Sequence, residues 1–423
     1  MSVTTAAALV PLAERFAAAK RASTVLATAT AATKNRALEA IASALLAESD
    51  RIVAANARDL ENADANGLSA GLRDRLALDE KRLGALADAV LDVVALVDPV
   101  GESVRGSTLP NGLKLSQVRV PFGVVGAIYE ARPNVTVDIA ALALKSGNAA
   151  VLRGGSAAEN TNLVLVDVLR TAIASSGLPA DSVQTVDEFG RDGARELMRA
   201  RGFVDVLIPR GSAELINAVV AESTVPVIET GAGVVHIYLD ESADEQLAVD
   251  IVHNAKVQRV SVCNALETLL VNRAAAPRVL GPVLDRLRGA GVTIHGDADV
   301  RTLYPDSVRA TDEDWAAEYY SLDLAVAIVD DLDGALEHIA RWSTHHTESI
   351  ITNDLANAER FLAEVDSAVV MVNASTRFTD GGEFGFGAEV GISTQKLHAR
   401  GPMGLQELTS TKWLVRGTGQ IRP

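Results

Sequence analysis

The sequence contains a single cysteine, Cys263, among its 423 residues. One cysteine cannot form a disulfide within the chain, and this is typical of a reducing compartment, so we expect a cytoplasmic protein. The seven histidines are scattered and show no His-x-x-x-His spacing, and there is no Cys-x-x-Cys pair. We therefore expect no metal site.

Positive charge and long apolar runs are also scarce. There are 39 Lys and Arg against 55 Asp and Glu, a net charge of −16, so we expect no nucleic-acid partner. The most apolar segment, residues 120–144, carries Glu130, Arg132 and Asp138, and residues 1–20 lack a basic leader. We expect neither a membrane span nor a signal peptide.

The spacing of apolar residues divides the chain into two regions with different patterns. From Thr4 to Val97 apolar residues recur every three or four positions, which predicts amphipathic helices, and Pro110-Asn111-Gly112 predicts a hairpin turn. From Gly123 onward, short β-branched runs alternate with helical stretches, which indicates an α/β fold with parallel sheets. The predicted strands are 124–128, 150–152, 183–186, 204–208, 234–239, 268–271, 325–329 and 368–372.

Cys263 lies in a polar segment, residues 258–264, just before a predicted strand. An isolated cysteine is often a small buried apolar residue. Here Ser261 and Asn264 argue against an apolar pocket, and Lys256 and Arg259 would lower the thiol pKa if they faced it. The residues alone leave both interpretations open, a buried side chain and a nucleophile.

Residues 153–156, Arg-Gly-Gly-Ser, follow the predicted strand 150–152 and precede a helix. Glycines at such a turn allow a phosphate to approach backbone N–H groups, and Arg153 could bind a 2′-phosphate. The alternative is an ordinary turn in which Ser156 caps the helix. No G-x-G-x-x-G is present, so a nicotinamide cofactor would have to bind in another mode.

Two polar residues follow strand ends. The Asn134 amide could donate to an oxyanion at the carboxyl end of a strand, or cap the next turn. Glu229 could be a general base or a solvated loop carboxylate.

Residues 373–394 form a long irregular stretch that is rich in glycine. Such a stretch inside a compact domain is typically a functional loop. Residues 345–349, before a predicted strand at Ile350–Ile351, are expected to join it as a wall of the substrate site.

Five segments carry a family resemblance: residues 122–134, 145–149, 258–265, 372–378 and 397–404. Over nearly the whole chain they resemble the γ-glutamyl phosphate reductases, a family within the aldehyde dehydrogenase superfamily. That superfamily's cofactor domain also lacks the usual glycine fingerprint. Two positions differ from the family pattern, Val235 in place of Cys and Val260 in place of Pro.

The resemblance implies a three-part fold: an α/β, Rossmann-like NADPH domain (1–100 and 122–231), an α/β catalytic domain (232–398) and a hairpin for oligomerisation (101–121 with 399–423). It implies reduction of L-glutamyl 5-phosphate by NADPH to glutamate 5-semialdehyde with release of phosphate. A separate glutamate 5-kinase would supply the substrate and could dock.

The resemblance also assigns residues. Cys263 would form a thioester, and Asn134 with the Cys263 backbone N–H would hold the oxyanion. The expected cofactor residues are Arg153, Gly154, Gly155, Ser156, Gly211, Ser212 and Gly231. The expected substrate residues are Arg377, Ser375, His346, Glu348 and Arg259.

Two other functions stay open at this point. One is an aldehyde dehydrogenase that hydrolyses its thioester, with Glu229 activating the water. The other is a noncatalytic cofactor-binding or scaffold protein, against which the presence of both Cys263 and Asn134 argues.

Overall fold

The structure is a computed structural model that describes residues 9–68, 70–130 and 132–422. The part of the predicted helical region before residue 9 therefore lies outside the described residues. The helices are α1 Leu12–Leu26, α2 Ala31–Ala47, α3 Ser49–Ala65, α4 Ala70–Leu76, α5 Glu80–Ala95, α6 Pro133–Lys145, α7 Glu159–Ser175, α8 Gly190–Arg199, α9 Ala213–Glu222, α10 Glu245–Val257, α11 Ala276–Gly289, α12 Ala298–Leu303, α13 Asp312–Trp315, α14 Leu332–Trp342 and α15 Leu355–Glu364.

The strands are β1 Ser103–Thr108, β2 Lys114–Pro121, β3 Val124–Tyr129, β4 Ala149–Arg153, β5 Val183–Thr185, β6 Val206–Arg210, β7 Val235–Leu239, β8 Leu266–Asn272, β9 Thr293–Gly296, β10 Val308–Arg309, β11 Asp323–Val329, β12 Thr347–Ile351, β13 Val369–Val372, β14 Ile392–Ser393, β15 Gly401–Pro402 and β16 Thr409–Arg416. Every strand predicted from the sequence is present, with its ends within two residues of the prediction except at Ile350–Ile351, where the observed strand begins three residues earlier. Among the described helices, none is both long enough and apolar enough to cross a membrane.

The chain forms two compact units. The first contains Met1–Glu229 with Phe386–Gly391 and Met403–Pro423, and the second contains Thr230–Gly385 with Ile392–Pro402.

The first unit contains a parallel sheet in the order β5-β4-β3-β6. Every residue of β3 is buried, as expected for a parallel strand covered on both faces. From β3 the chain moves outward through β4 and β5 and then returns to place β6 on the other side. The carboxyl ends of β3 and β6 therefore form a topological switch point, where open α/β sheets bind ligands.

Helices α1 to α5 confirm the amphipathic pattern where it is described. Local signals set their starts: Thr30 caps α2 by accepting from the Thr33 N–H, and Asp79 caps α5 by accepting from the Arg82 N–H. Both helices turn one apolar face inward.

The predicted hairpin is also present. β1 and β2 pair antiparallel around a turn in which Gly112 has a φ of +86°, a conformation that favours glycine. β16 pairs with the other edge of β2 over eight residues, which gives a three-stranded sheet.

The second unit contains a seven-stranded parallel sheet in the order β10-β9-β11-β8-β7-β12-β13. All seven residues of β8 and all five of β7 are buried, which places these two strands in the core. The four-residue strand β9 was not predicted, because polar Thr293 and His295 hide its β pattern.

The structure corrects the start of the strand predicted at Ile350–Ile351. Residues 347–349 already belong to this strand, β12, and are buried in it. The fully buried Glu348 carboxylate accepts from the His236 N–H at 2.7 Å and from the hydroxyls of Ser343 and Ser367. These hydrogen bonds pair the carboxylate within the protein, so a contact between Glu348 and substrate stays a prediction.

His346 is likewise fully buried, and its Nδ1 lies 2.9 Å from Thr347 Oγ1. The structure therefore gives no support to a direct substrate contact by His346. Burial lowers its pKa to about 4, since the charged imidazolium is poorly solvated there.

We expect His346 to make the protein less stable as the pH falls from about 6.5 to about 4. Across that interval the unfolded chain binds a proton at His346 and the folded chain does not. The free energy of unfolding should therefore fall by up to about 1.4 kcal/mol per pH unit from this group. Urea unfolding of wild type and His346→Gln at several pH values measures the difference. The difference in free energy of unfolding between the two proteins should be constant above pH 7 and should shift in favour of the variant below 6.5, and a constant difference throughout would contradict the expectation.

Candidate active site

Cys263 lies in the second unit, in the loop of residues 258–265 that connects α10 to β8. Its side chain is half-buried. This differs from the fully buried apolar cysteine that was one interpretation of the sequence. A partly accessible thiol in a polar loop is the environment in which cysteine acts as a nucleophile.

A buried ion pair joins the two ends of this loop. Lys256 Nζ, in the last turn of α10, lies 2.5 Å from Oε2 of Glu267, the second residue of β8, and both side chains are fully buried. Burial lowers the pKa of Lys256 and raises that of Glu267. Because Lys256 is engaged by Glu267, the sequence-based suggestion that it activates the thiol is not supported.

Gly233 allows a close backbone approach to the cysteine. A Cβ placed on Gly233 would lie 1.6 Å from the Cys263 carbonyl oxygen and 2.6 Å from its carbonyl carbon. Both atoms belong to the backbone, so no side-chain movement could relieve the overlap. Only glycine is compatible with this position of the loop.

The predicted irregular loop packs against the cysteine loop. The Asn264 amide donates to the Thr379 carbonyl at 2.8 Å, and the Thr376 hydroxyl donates to the Asn264 carbonyl at 2.8 Å. Ser375 is buried, and its hydroxyl donates to Asn254 Oδ1 at 2.7 Å. Ser375 therefore holds the loop, and the structure does not support the prediction that its side chain contacts substrate.

Arg377 brings positive charge to the thiol. Its half-buried guanidinium donates from Nε to Gln258 Oε1 at 2.8 Å and interacts electrostatically with Cys263 and Arg259. Burial, with a smaller contribution from Arg259, lowers the Arg377 pKa. Arginine remains protonated, so the Arg377 guanidinium is a cationic partner for a carboxylate or phosphate in this part of the protein.

The first unit holds Asn134 in the first turn of α6, after Pro133 at the helix start. The Asn134 side chain is exposed, and its Nδ2 donates to Asp138 Oδ2 at 3.0 Å. Asn134 does not cap α6, because the cap position belongs to Arg132. The alternative capping role is therefore excluded.

The Arg153–Ser156 turn is shaped by a buried carboxylate. The Gly154 N–H donates to Asp187 Oδ1 at 2.7 Å, and a Cβ on Gly154 would lie 2.0 Å from Asn162 Nδ2. The Gly154 amide is thus engaged by the protein, and its predicted role of presenting an N–H to a phosphate is not supported. Burial raises the pKa of Asp187 to about 6.

The rest of that turn is accessible. Gly155 is half-exposed, and Ser156 is exposed in a one-turn 3-10 helix, so Ser156 does not cap α7. Arg153 Nε is buried and has no hydrogen-bond partner among the described residues. An unpaired buried guanidinium N–H is a position where a bound anion would supply the missing acceptor.

Gly211 and Ser212 follow β6 at the switch point. The Ser212 N–H and hydroxyl both donate to Glu130 Oε1, at 3.1 and 2.7 Å, and Ser212 caps α9. A Cβ on Gly211 would lie 2.7 Å from the Glu130 carboxyl carbon. A carboxylate therefore already occupies part of the anion-binding end of α9.

Gly231 lies in the second unit, where its N–H donates to the Ile392 carbonyl at 3.0 Å. Glu229 is the last residue of the first unit before the division and is half-buried.

Several site residues escaped the sequence analysis, among them Gly233, Gln258, Asp138 and Glu130. Each acts through a partner that is distant in sequence or hidden by helical periodicity. The available signal was position in or next to motifs already singled out, for example Glu130 within residues 122–134 and Gln258 within residues 258–264.

The comparisons agree with this architecture. The aldehyde dehydrogenase family model matches residues 5–302. A γ-glutamyl phosphate reductase of Clavibacter michiganensis is 73% identical over 96% of this chain and 94% of its own length. The crystal structure of γ-glutamyl phosphate reductase from Thermotoga maritima is 46% identical, with a TM-score of 0.95 over 97% of this chain and all of that chain.

A more distant structure, an engineered glycolyl-CoA reductase with bound NADP⁺, shares the fold at 16% identity, with a TM-score of 0.68 over 96% of each chain. The fold and the cysteine loop define an oxidoreductase of the aldehyde dehydrogenase family. Within it, the chain belongs to the γ-glutamyl phosphate reductase family.

We expect Gly233→Ala to displace the Cys263 loop, because the added methyl group would overlap the Cys263 carbonyl. Overpacking of this kind typically costs about 1–3 kcal/mol. Cys263 is the single cysteine, so the rate of alkylation by iodoacetamide reports on this one thiol. The rate should change at least severalfold, together with a lower melting temperature.

Gly281→Ala is the matched control, since a Cβ there meets nothing within 4 Å on helix α11. It should keep the wild-type alkylation rate. Equal behaviour of the two variants would contradict the assigned role of Gly233.

Proposed function

We propose that the enzyme reduces L-glutamyl 5-phosphate to L-glutamate 5-semialdehyde with NADPH, releases phosphate, and acts through a thioester on Cys263. The observation that carries the proposal is the half-buried Cys263 thiol beside Arg377, in a chain so similar to γ-glutamyl phosphate reductases. A separate glutamate 5-kinase would supply the acyl phosphate in the preceding step of proline biosynthesis.

The chemistry needs a thiolate in the first step. The Cys263 sulfur attacks the acyl carbon, the C–O bond to phosphate breaks, and phosphate leaves with its electron pair. Arg377 favours the charged form of the thiol. When bound, the reduced nicotinamide supplies a hydride. The C–S bond then breaks, and the sulfur leaves as thiolate while the aldehyde forms.

Both tetrahedral stages place negative charge on the former carbonyl oxygen. We assign its stabilisation to the Asn134 amide and the Cys263 backbone N–H. Removal of one such donor typically costs about 10²- to 10³-fold in kcat. No water is consumed, so Glu229 has no assigned role in this direction.

We assign recognition of the substrate's carboxylate to Arg377, with Arg259 as a second cationic partner. Arg377 is fixed by Gln258, whereas Arg259 is exposed. A guanidinium held in one orientation matches a carboxylate through two parallel hydrogen bonds.

Membership of the aldehyde dehydrogenase family supports a nicotinamide cofactor. The first unit offers two residues that fit it, Arg153 with its unpaired buried Nε and exposed Ser156. Contacts of Gly211 and Ser212 with the cofactor stay predictions, because Glu130 accepts from both Ser212 donors. We assign NADPH binding to this unit, catalysis to the second unit, and preference for the 2′-phosphate to Arg153.

The three-stranded sheet is the proposed oligomerisation surface. β1 is exposed along its whole length, and Val104, Trp413 and Val415 are exposed apolar side chains on it. A second copy of the chain covering this sheet would remove that surface from water. Light scattering should then give a mass that is a multiple of 44.3 kDa.

The function is tested in the reverse direction, with glutamate 5-semialdehyde, NADP⁺ and phosphate, following NADPH absorbance. We expect NADPH formation that requires phosphate, is lost in Cys263→Ala, and shows a KM for the semialdehyde raised about tenfold or more in Arg377→Lys. Activity without phosphate would instead indicate a hydrolytic aldehyde dehydrogenase. Full activity of Cys263→Ala would overturn the thioester mechanism.

The cofactor assignment has its own test. A charged hydrogen bond to phosphate is worth about 1.5–3 kcal/mol, so Arg153→Ala should raise the KM for NADP⁺ about 10- to 100-fold. The KM for NAD⁺, which lacks the 2′-phosphate, should change less than threefold. An equal loss with both cofactors would mean that Arg153 only supports the turn, and the melting temperature serves as the control for that effect.

A further inference from the structure

Asn134 and Asp138 face each other across one turn of α6. The distance from Asn134 Nδ2 to Asp138 Oδ2 is 3.0 Å. Asn134 is exposed, while Asp138 is half-buried behind it. The exposed amide can therefore meet a ligand while the carboxylate contacts it from the protein side.

An ionised carboxylate only accepts hydrogen bonds. It can face the NH₂ group of the Asn134 amide but not its carbonyl oxygen, since two acceptors would repel each other. The side-chain amide has two orientations that differ by exchange of its oxygen and nitrogen. Asp138 selects one of them, and the second N–H of Nδ2 remains available to donate.

The carboxylate is ionised at neutral pH. Burial raises the pKa of Asp138 to about 6, while the hydrogen bond from Asn134 and the charge of Arg210 act in the opposite direction. A partly desolvated carboxylate is unfavourable unless it is paired. A hydrogen bond between side chains one turn apart adds little to helix stability, so the contact with Asn134 does not by itself account for this charge in α6.

We propose that Asp138 is a positioning residue that fixes the Asn134 amide with its N–H, and not its carbonyl, toward the oxyanion. This inference rests on the oxyanion role assigned to Asn134 in the proposed function. Asp138 itself contacts neither substrate nor cofactor in this assignment. It acts only through Asn134, and that property makes the inference testable.

The test is a double-mutant cycle in the reverse reaction with Asn134→Ala, Asp138→Asn and the double variant. The asparagine at 138 keeps the size of the side chain but can donate or accept, so it no longer selects one orientation of Asn134. We expect Asp138→Asn to lower kcat about five- to tenfold with little change in KM, and Asn134→Ala to lower kcat about 100-fold. The double variant should match Asn134→Ala within about twofold, because Asp138 has nothing left to orient.

Asp250→Asn is the matched control. Gln246 Nε2 donates to Asp250 Oδ2 at the same distance of 3.0 Å and the same spacing, on the exposed surface of α10. Loss of the Gln246–Asp250 hydrogen bond in this variant should leave kcat at the wild-type value. A fall in kcat for Asp250→Asn that equals the fall for Asp138→Asn would show a general helix effect and overturn the inference.

Two further outcomes would overturn it. One is an unchanged kcat in Asp138→Asn or in Asn134→Ala. The other is an equal effect of Asp138→Asn with and without Asn134, which shows that the two residues act independently. Neither outcome affects the proposed reaction, which depends on the phosphate requirement and on Cys263→Ala.

Discussion

The buried ion pair between Lys256 and Glu267 fixes the loop that carries Cys263. The ion pair joins the last turn of α10 to the start of β8. Both ends of the eight-residue loop 258–265 are therefore held close to the same ion pair. Removal of one partner from such a pair leaves an uncompensated buried charge and typically costs about 3–5 kcal/mol. With the ends fixed, Gly233 and the loop around Thr376 determine where the thiol lies.

Carboxylates organise the first unit in a similar way. Asp187 accepts from the Gly154 N–H, Glu130 accepts from Ser212, and Asp138 accepts from Asn134. In each case an acidic side chain holds a loop or amide that the sequence analysis assigned to ligand binding. The Gly154 and Ser212 N–H groups are thereby used within the protein, whereas the Asn134 amide keeps a second N–H that can donate to a ligand.

How much of the structure could be predicted from the sequence differs from site to site. Three features could be predicted from the sequence, because each depends on neighbours in sequence. They are the alternation of strands and helices, the Asn-Gly hairpin and the polar segment around Cys263. Residues 347–349 were misplaced because three polar residues in succession are not typical of a buried strand. Glu348 is tolerated there only because His236, Ser343 and Ser367 provide its hydrogen bonds.

The α/β class, the single possible thiol nucleophile and the family could all be predicted from the sequence, since periodicity, residue counts and motifs are local properties. Which cation interacts with that thiol depends on the folded chain. Lys256 is closer in sequence to Cys263 than Arg377 is, yet Lys256 is engaged by Glu267, and Arg377 interacts with the cysteine. The reason is physical: burial forces Lys256 to find an opposite charge, and only the folded chain shows which partner is within reach.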